Sequence, residues 1–228
     1  KEAYGLGVAT NFQNAAKFLG IEVVGFEAWD PKATSYTSVF NKVKSSGADA
    51  VFLGGLIDEN GAQVIKDKVA VLGPNDGDVK LFAPDGFTTQ STIDESGTSA
   101  AGMFMSVAGV PIDDFKGAAQ EFIDGLTAGP LAGKPIDPYA IYGAQAAQVL
   151  FDAIAASDGT REDVLAKMFE TDVTDGLIGS FKFNENGDPV DAAGAIVGFT
   201  IYKATDTKFN GSSAVVVPKP ETVKAAGA

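Results

Sequence analysis

In its first half the chain alternates between amphipathic segments and short apolar segments, and this alternation limits the fold more than any other feature. The amphipathic segments are 4–19, 35–46 and 60–72, each followed by a glycine that can end a helix. The apolar segments are 21–26, 50–53, 80–83 and 102–107. Short apolar runs between helices predict strands covered on both faces and joined by right-handed crossovers. The predicted fold class is therefore α/β, with a doubly wound parallel sheet as in Rossmann-like domains.

The pattern changes after Val107. Apolar residues at Phe115, Phe122 and Ile123 belong to one predicted helix face, and two more helices are predicted over 139–156 and 160–169. Strands are predicted at 181–183 and 195–202, with a turn at Asn186-Gly187. Three successive helices without an intervening strand indicate a second lobe that is mainly helical and incomplete.

Composition narrows the function classes. The net charge of −13 disfavours nucleic acid and anionic membranes as partners, since both require clustered Lys and Arg. The chain has no Cys and no His, which removes disulfides, thiolate metal sites and the Ser-His-Asp arrangement. No apolar run approaches the roughly 18–20 residues that span a bilayer, so no direct membrane insertion is predicted. An enzyme is disfavoured, although carboxylate, Lys or Tyr chemistry stays open.

Three short motifs imitate cofactor or metal sites, but their spacing fails. Gly5-Leu6-Gly7 lacks the third glycine of a dinucleotide fingerprint. The segment 129–134 is one residue shorter than a P-loop, and Pro135 stands where Ser or Thr would bind magnesium. In 184–188 the glycine comes too early for a calcium-binding EF-hand loop. No cofactor, no metal and no catalytic residue are predicted.

The ends of the predicted strands are the candidate site, because ligands of open parallel sheets bind outside the carboxyl ends. Trp29-Asp30-Pro31 comes shortly after the strand predicted at 21–26, Gly54-Gly55-Leu56 follows the second strand, and Asp85 follows the third between Pro84 and Gly86. Paired glycines allow backbone to approach a ligand or another loop closely. Asp85 can pair with a ligand cation, or it can hydrogen-bond within its own turn.

Several motifs resemble the periplasmic solute-binding proteins of branched-chain amino-acid ABC transporters. They are 1–7 (KEAYGLG), 46–55 (SGADAVFLGG), 84–86 (PDG), 101–103 (AGM), 142–146 (YGAQA) and 179–188 (GSFKFNENGD). Their order and spacing match over almost the whole chain.

The resemblance implies the type I periplasmic binding fold, whose two α/β lobes close on a ligand. Residues 1–108 and 189–228 would form the second ligand-binding lobe. Residues 111–187 would be the C-terminal part of the first lobe. The N-terminal part of that lobe, with the groups that bind the ligand carboxylate, would then lie outside this chain.

The resemblance also implies ligand-binding roles. Asp85 would receive an amino acid's ammonium group. Tyr4, Gly55 and Leu56 would line the same wall, with Leu56 replacing an aromatic residue found in some leucine-binding relatives. Tyr139 would either line another wall or pack inside its own lobe.

The implied function is capture of a small branched-chain or other apolar amino acid for an ABC permease. The compartment would be periplasmic or extracellular. The alternative is a sensory or regulatory domain of the same fold that binds amides, urea or another small solute. With the main sheet of the first lobe outside this chain, the apolar face at Phe115, Phe122 and Ile123 is expected to lack cover, which predicts self-association or cover by a companion segment.

Overall fold

The computed structural model describes residues 3–134, 136–137 and 139–227. They form two compact units, of which the first runs to Val107 and resumes at Phe199, while the second is Ala108–Gly198. The boundaries predicted from the sequence lay near 108 and 189, so the structure places 189–198 in the second unit. The assignment of these units to the lobes of a binding protein stays a prediction.

The first unit is built on a five-stranded sheet. Its strands are β1 (Ala50–Phe52), β2 (Lys80–Ala83), β3 (Phe104–Ala108), β7 (Phe199–Lys203) and β8 (Ser212–Val216), in the order β1-β2-β3-β7-β8. Its helices are α1 (Ala3–Phe18), α2 (Thr37–Ser46), α3 (Ala62–Leu72), α4 (Gln90–Ser96) and α8 (Pro220–Ala226). The pairs β1–β2 and β2–β3 are parallel, and β7–β8 is antiparallel. The predicted α/β class is confirmed.

The core of this unit lies between the parallel strands and the helices that connect them. Alternation along β2 buries Leu81 and Ala83, and α3 buries Val64 and Ile65. A left-handed glycine ends α2, since Gly47 has φ 73°. The buried faces of β2 and α3 therefore supply part of this core.

The predicted strand at 21–26 is wrong. These residues form no strand, and Ile21, Val24 and Phe26 are 57%, 46% and 48% exposed. An apolar run becomes a strand only when a neighbouring strand pairs with it, and no described strand pairs with this one. Hydrophobicity alone therefore misassigned the segment.

The second unit combines helices with a small antiparallel sheet. Its helices are α5 (Ala118–Ala128), α6 (Ala140–Ala156) and α7 (Arg161–Phe169), and its strands are β4 (Asp172–Gly176), β5 (Gly179–Phe183) and β6 (Pro189–Ala193). β5 is the central strand and pairs Val173 with Phe181 and Lys182 with Val190. The turn between β5 and β6 contains Gly187 at φ 83°, as its Asn-Gly sequence predicts.

The expectation that Phe115, Phe122 and Ile123 lack cover is wrong. Phe115 and Ile123 are only 4% and 8% exposed, and Phe122 packs against the same core. Ile141 of α6 and Phe181 of β5 are among the buried residues that cover them. The face on which self-association was predicted is therefore occupied within the unit, and self-association stays a prediction without that basis.

Candidate functional site

Asp85 lies directly beyond the carboxyl end of β2. Pro84 separates it from the strand, and Asp85 begins a short 3-10 turn that ends at Phe87. The amide of Gly86 donates to Asp85 Oδ1 at 3.1 Å, while the amide and hydroxyl of Thr88 donate to the Asp85 carbonyl at 2.8 and 2.7 Å. The turn thus fixes the backbone of Asp85 and leaves its half-buried carboxylate at the strand end.

Tyr4 meets Asp85 across 81 residues of sequence. Its hydroxyl donates to Asp85 Oδ1, and both side chains are half-buried. The first turn of α1 presents Tyr4, so this contact joins the beginning of a helix to the end of a strand. A carboxylate has several lone pairs and can accept further donors while it receives the Tyr4 hydroxyl. The pair can therefore hold an ammonium group.

The start of α1 approaches the end of β1 more closely than any side chain would allow. A β-carbon added to Gly5 would lie 2.6 Å from the Gly54 carbonyl oxygen. One added to Gly54 would lie 2.6 Å from the Ala9 β-carbon. Because both residues are glycine, the helix packs against the strand end, which places Tyr4 beside Asp85.

Gly55 and Leu56 lie beside the turn that begins at Asp85. A β-carbon on Gly86 would lie 2.5 Å from Leu56 Cδ2 and 2.9 Å from the Gly55 carbonyl oxygen. Leu56 therefore lies against the residue that follows Asp85. The sequence left open what approaches the paired glycines, and the structure shows atoms of the chain itself: α1 at Gly54 and the Trp29 ring at Gly55.

Comparison with known proteins places the chain in a family. The model of a family described as periplasmic binding protein matches residues 1–201. The chain belongs to the periplasmic binding protein family. The resemblance inferred from its motifs is confirmed.

Curated relatives carry names that state what they bind. A leucine-, isoleucine-, valine-, threonine- and alanine-binding protein of Pseudomonas aeruginosa is 25% identical over 191 residues, which are 82% of this chain and 48% of that protein. A Leu/Ile/Val-binding protein homologue of Brucella abortus is 24% identical over 92% of this chain and 54% of its own length. The chain thus spans about half the length of these relatives.

Solved structures of the family share the fold. A leucine-binding protein from Thermotoga maritima has a TM-score of 0.73 at 21% identity, over 95% of this chain and 58% of that one. A branched-chain amino-acid transporter substrate-binding protein from Streptococcus pneumoniae, in complex with isoleucine, has a TM-score of 0.73 at 16% identity, over 95% and 57%. The predicted fold class agrees with these neighbours.

Tyr139 lies in the second unit, immediately before α6. Its ring meets Tyr142 edge-on with centroids 5.8 Å apart, and its hydroxyl accepts from the Ala108 amide at 3.3 Å. The residue nevertheless stays 36% exposed. Tyr139 is thus packed on one side and open on another, and its role in a ligand wall stays a prediction.

Among the residues that the structure describes, no group of three or more carboxylates is placed to hold a metal ion. No helix within the same residues has the length and apolar character to cross a membrane. The sequence placed Trp29 among the candidate strand ends, after a strand at 21–26 that the structure does not contain, and its contact with Gly55 was not predicted.

Proposed function

We propose that the protein captures a small α-amino acid with an apolar, branched side chain at the carboxyl ends of β1 and β2. The contact between Tyr4 and Asp85 carries the proposal, because it places a carboxylate and an aromatic hydroxyl at a strand end of a periplasmic binding fold. Relatives named for leucine, isoleucine and valine support the ligand class.

In this proposal Asp85 accepts a charge-assisted hydrogen bond from the ligand ammonium group, and the Tyr4 hydroxyl orients the carboxylate of Asp85. Leu56 and the backbone of Gly55 supply an apolar surface for the ligand side chain. Tyr139 belongs to the second unit, and its role in ligand binding stays a prediction from the resemblance. No step of the proposed function is catalytic.

The proposed partner is an ABC permease that receives the amino acid in a periplasmic or extracellular compartment. The family membership supports this role, as does a solved neighbour from Streptococcus pneumoniae that is described as a transporter substrate-binding protein.

The test is the shift in melting temperature of the natural full-length protein with leucine and with 4-methylpentanoate, which lacks only the amino group. Ligand binding to the native state raises the melting temperature. Of the two compounds, we expect only leucine to raise the melting temperature, and we expect Asp85→Asn to abolish this rise. Asn keeps the size of Asp but loses the charge that pairs with an ammonium group.

Asp94→Asn on α4 is the matched control and should leave the leucine response unchanged, since Asp94 is an exposed carboxylate of the same unit. Equal stabilisation by both compounds would refute the ammonium role of Asp85. Stabilisation by acetamide or urea, without any by leucine, would support the sensory alternative instead.

A further inference from the structure

The only tryptophan of the sequence, Trp29, packs its ring on the loop that follows β1. A β-carbon on Gly55 would lie 2.4 Å from Trp29 Cη2 and 2.5 Å from Cζ2, so the indole occupies the space of a side chain there. The indole Nε1 donates to the Glu59 carbonyl at 2.9 Å. Trp29 therefore contacts the loop at Gly55 and four residues later.

A second set of hydrogen bonds ties the same two segments together. Asn60 has a positive φ of 62°, and its Nδ2 donates to the Ala33 carbonyl at 2.8 Å and to the Tyr36 hydroxyl at 2.9 Å. The Tyr36 hydroxyl in turn donates to the Asp30 carbonyl at 2.7 Å. Residues 29–36 thus hold residues 55–60 at both ends of the loop.

The loop that Trp29 contacts packs against the turn that contains Asp85. The Gly55 carbonyl and the Leu56 side chain lie against Gly86, the residue after Asp85, with no room for a methyl group between them. Gly86 also donates its amide to Asp85 Oδ1 at 3.1 Å. Displacement of Gly55 would therefore release Leu56 and the turn that fixes the Asp85 carboxylate.

We propose that Trp29 is a positioning residue of the amino-acid site, acting through Gly55 to hold Leu56 and the Asp85 turn in their binding geometry. This inference rests on the proposed function, because it assumes that Asp85 and Leu56 contact the ligand. Trp29 supports the residues that line the wall and need not touch the ligand. Binding sites held by such a supporting layer lose affinity when the layer is loosened.

A double-mutant cycle in the natural full-length protein tests the coupling between Trp29 and Gly55. Leucine affinity is measured by calorimetry for Trp29→Ala, Gly55→Ala and the double variant. We expect each single change to weaken binding by about tenfold. The methyl group that Gly55→Ala introduces would collide with the indole of Trp29. Once Trp29→Ala has removed the indole, Gly55→Ala should therefore reduce the leucine affinity much less than it does in the wild-type protein.

Gly125→Ala is the matched control, because a β-carbon there meets nothing within 4 Å. It should leave the leucine affinity unchanged. Trp29→Phe keeps an aromatic ring but loses the Nε1 donor, and it should bind leucine with intermediate affinity.

A spectroscopic readout separates positioning from general stability. The protein is labelled with 5-fluorotryptophan, and the Trp29 fluorine resonance is identified by its loss in Trp29→Phe. Leucine should shift this resonance in the otherwise wild-type protein and leave it unmoved in Asp85→Asn.

The outcomes distinguish the two proposals. If the wild-type protein does not bind leucine, the proposed function fails. If it binds leucine through Asp85 but the two single changes add independently, or the Trp29 resonance does not respond to leucine, the positioning role fails alone.

Discussion

At the scale of single residues, Lys68 is a fully buried cation of the first unit. Its ammonium donates to the carbonyl oxygens of Gly73 and Pro74, each at 3.0 Å, and to that of Val79. The loop between α3 and β2 is thereby folded around one side chain. Burial lowers the pKa of Lys68 from 10.5 to about 8, an effect that the negative charge of Asp76 opposes.

This lowered pKa predicts a pH dependence of stability. Between about pH 8 and pH 10.5 the folded chain has released the Lys68 proton while the unfolded chain still holds it. The unfolded state then binds more protons, so the free energy of unfolding contributed by Lys68 should rise as the pH increases through this window. Urea unfolding of wild type and of Lys68→Met at several pH values measures the difference, in which the other titrating groups cancel.

A difference between the two proteins that stays flat from pH 8 to pH 10.5 would contradict this prediction. Lys167→Met is a useful control, because the half-buried Lys167 pairs with Glu170, and this pairing raises the pKa of Lys167 instead. Its difference from wild type should not rise in the same window.

The Tyr4–Asp85 pair shows how much of the candidate site could be predicted from the sequence. Both were identified from motifs that resemble a family, and the pattern of strands placed Asp85 at a strand end. Their direct hydrogen bond joins positions 81 apart and depends on how α1 packs on β1, which no local pattern encodes. The contact of Trp29 with Gly55 was missed for the same reason.

At the scale of elements, the alternation of helices and strands was predictable where an element buries its own periodic apolar face, as β2 and α3 do. The segment 21–26 shows the limit of this reasoning, because strand formation depends on a neighbour that its own sequence does not specify. The antiparallel strands β4, β6 and β8 were also missed. β8 illustrates why: its residues Ser212–Val216 are all exposed and show no alternation of burial.

The packing of α1 on the end of β1 gives a prediction at this scale. Gly5→Ala should destabilise the protein by about 1–3 kcal/mol, because its methyl group would lie 2.6 Å from the backbone oxygen of Gly54, which cannot swing aside. Gly7→Ala in the same helix meets nothing within 4 Å and should stabilise it by about 0.5–1 kcal/mol. Urea unfolding of both variants measures the two effects.

The opposite signs make this pair informative, since both substitutions add one methyl group to the same helix. A stabilising effect of Gly5→Ala would show that α1 does not pack closely on Gly54 in solution. In that case the geometry that brings Tyr4 to Asp85 would also have to be revised.

At the scale of the whole molecule, the chain spans 48% and 54% of the length of two curated relatives. The ligand contacts proposed in the first unit concern only the ammonium group and the side chain of the amino acid. The resemblance implies that groups for the ligand carboxylate lie in a part of the fold that residues 1–228 do not include. Affinity for a small ligand depends on burying most of its surface and pairing each of its polar groups. The proposed contacts of Asp85, Tyr4 and Leu56 would meet only part of that requirement.

We therefore expect residues 1–228 alone to bind leucine far more weakly than the natural full-length protein. Calorimetric titration of both with leucine measures the difference, and circular dichroism confirms that the shorter chain is folded. The core of the first unit packs around Leu81, Ile65 and Phe87, so we expect weak binding to coexist with a cooperative unfolding transition. Sub-micromolar binding of leucine by residues 1–228 would show that this wall suffices, and the ligand carboxylate would then have to be held by groups within this chain.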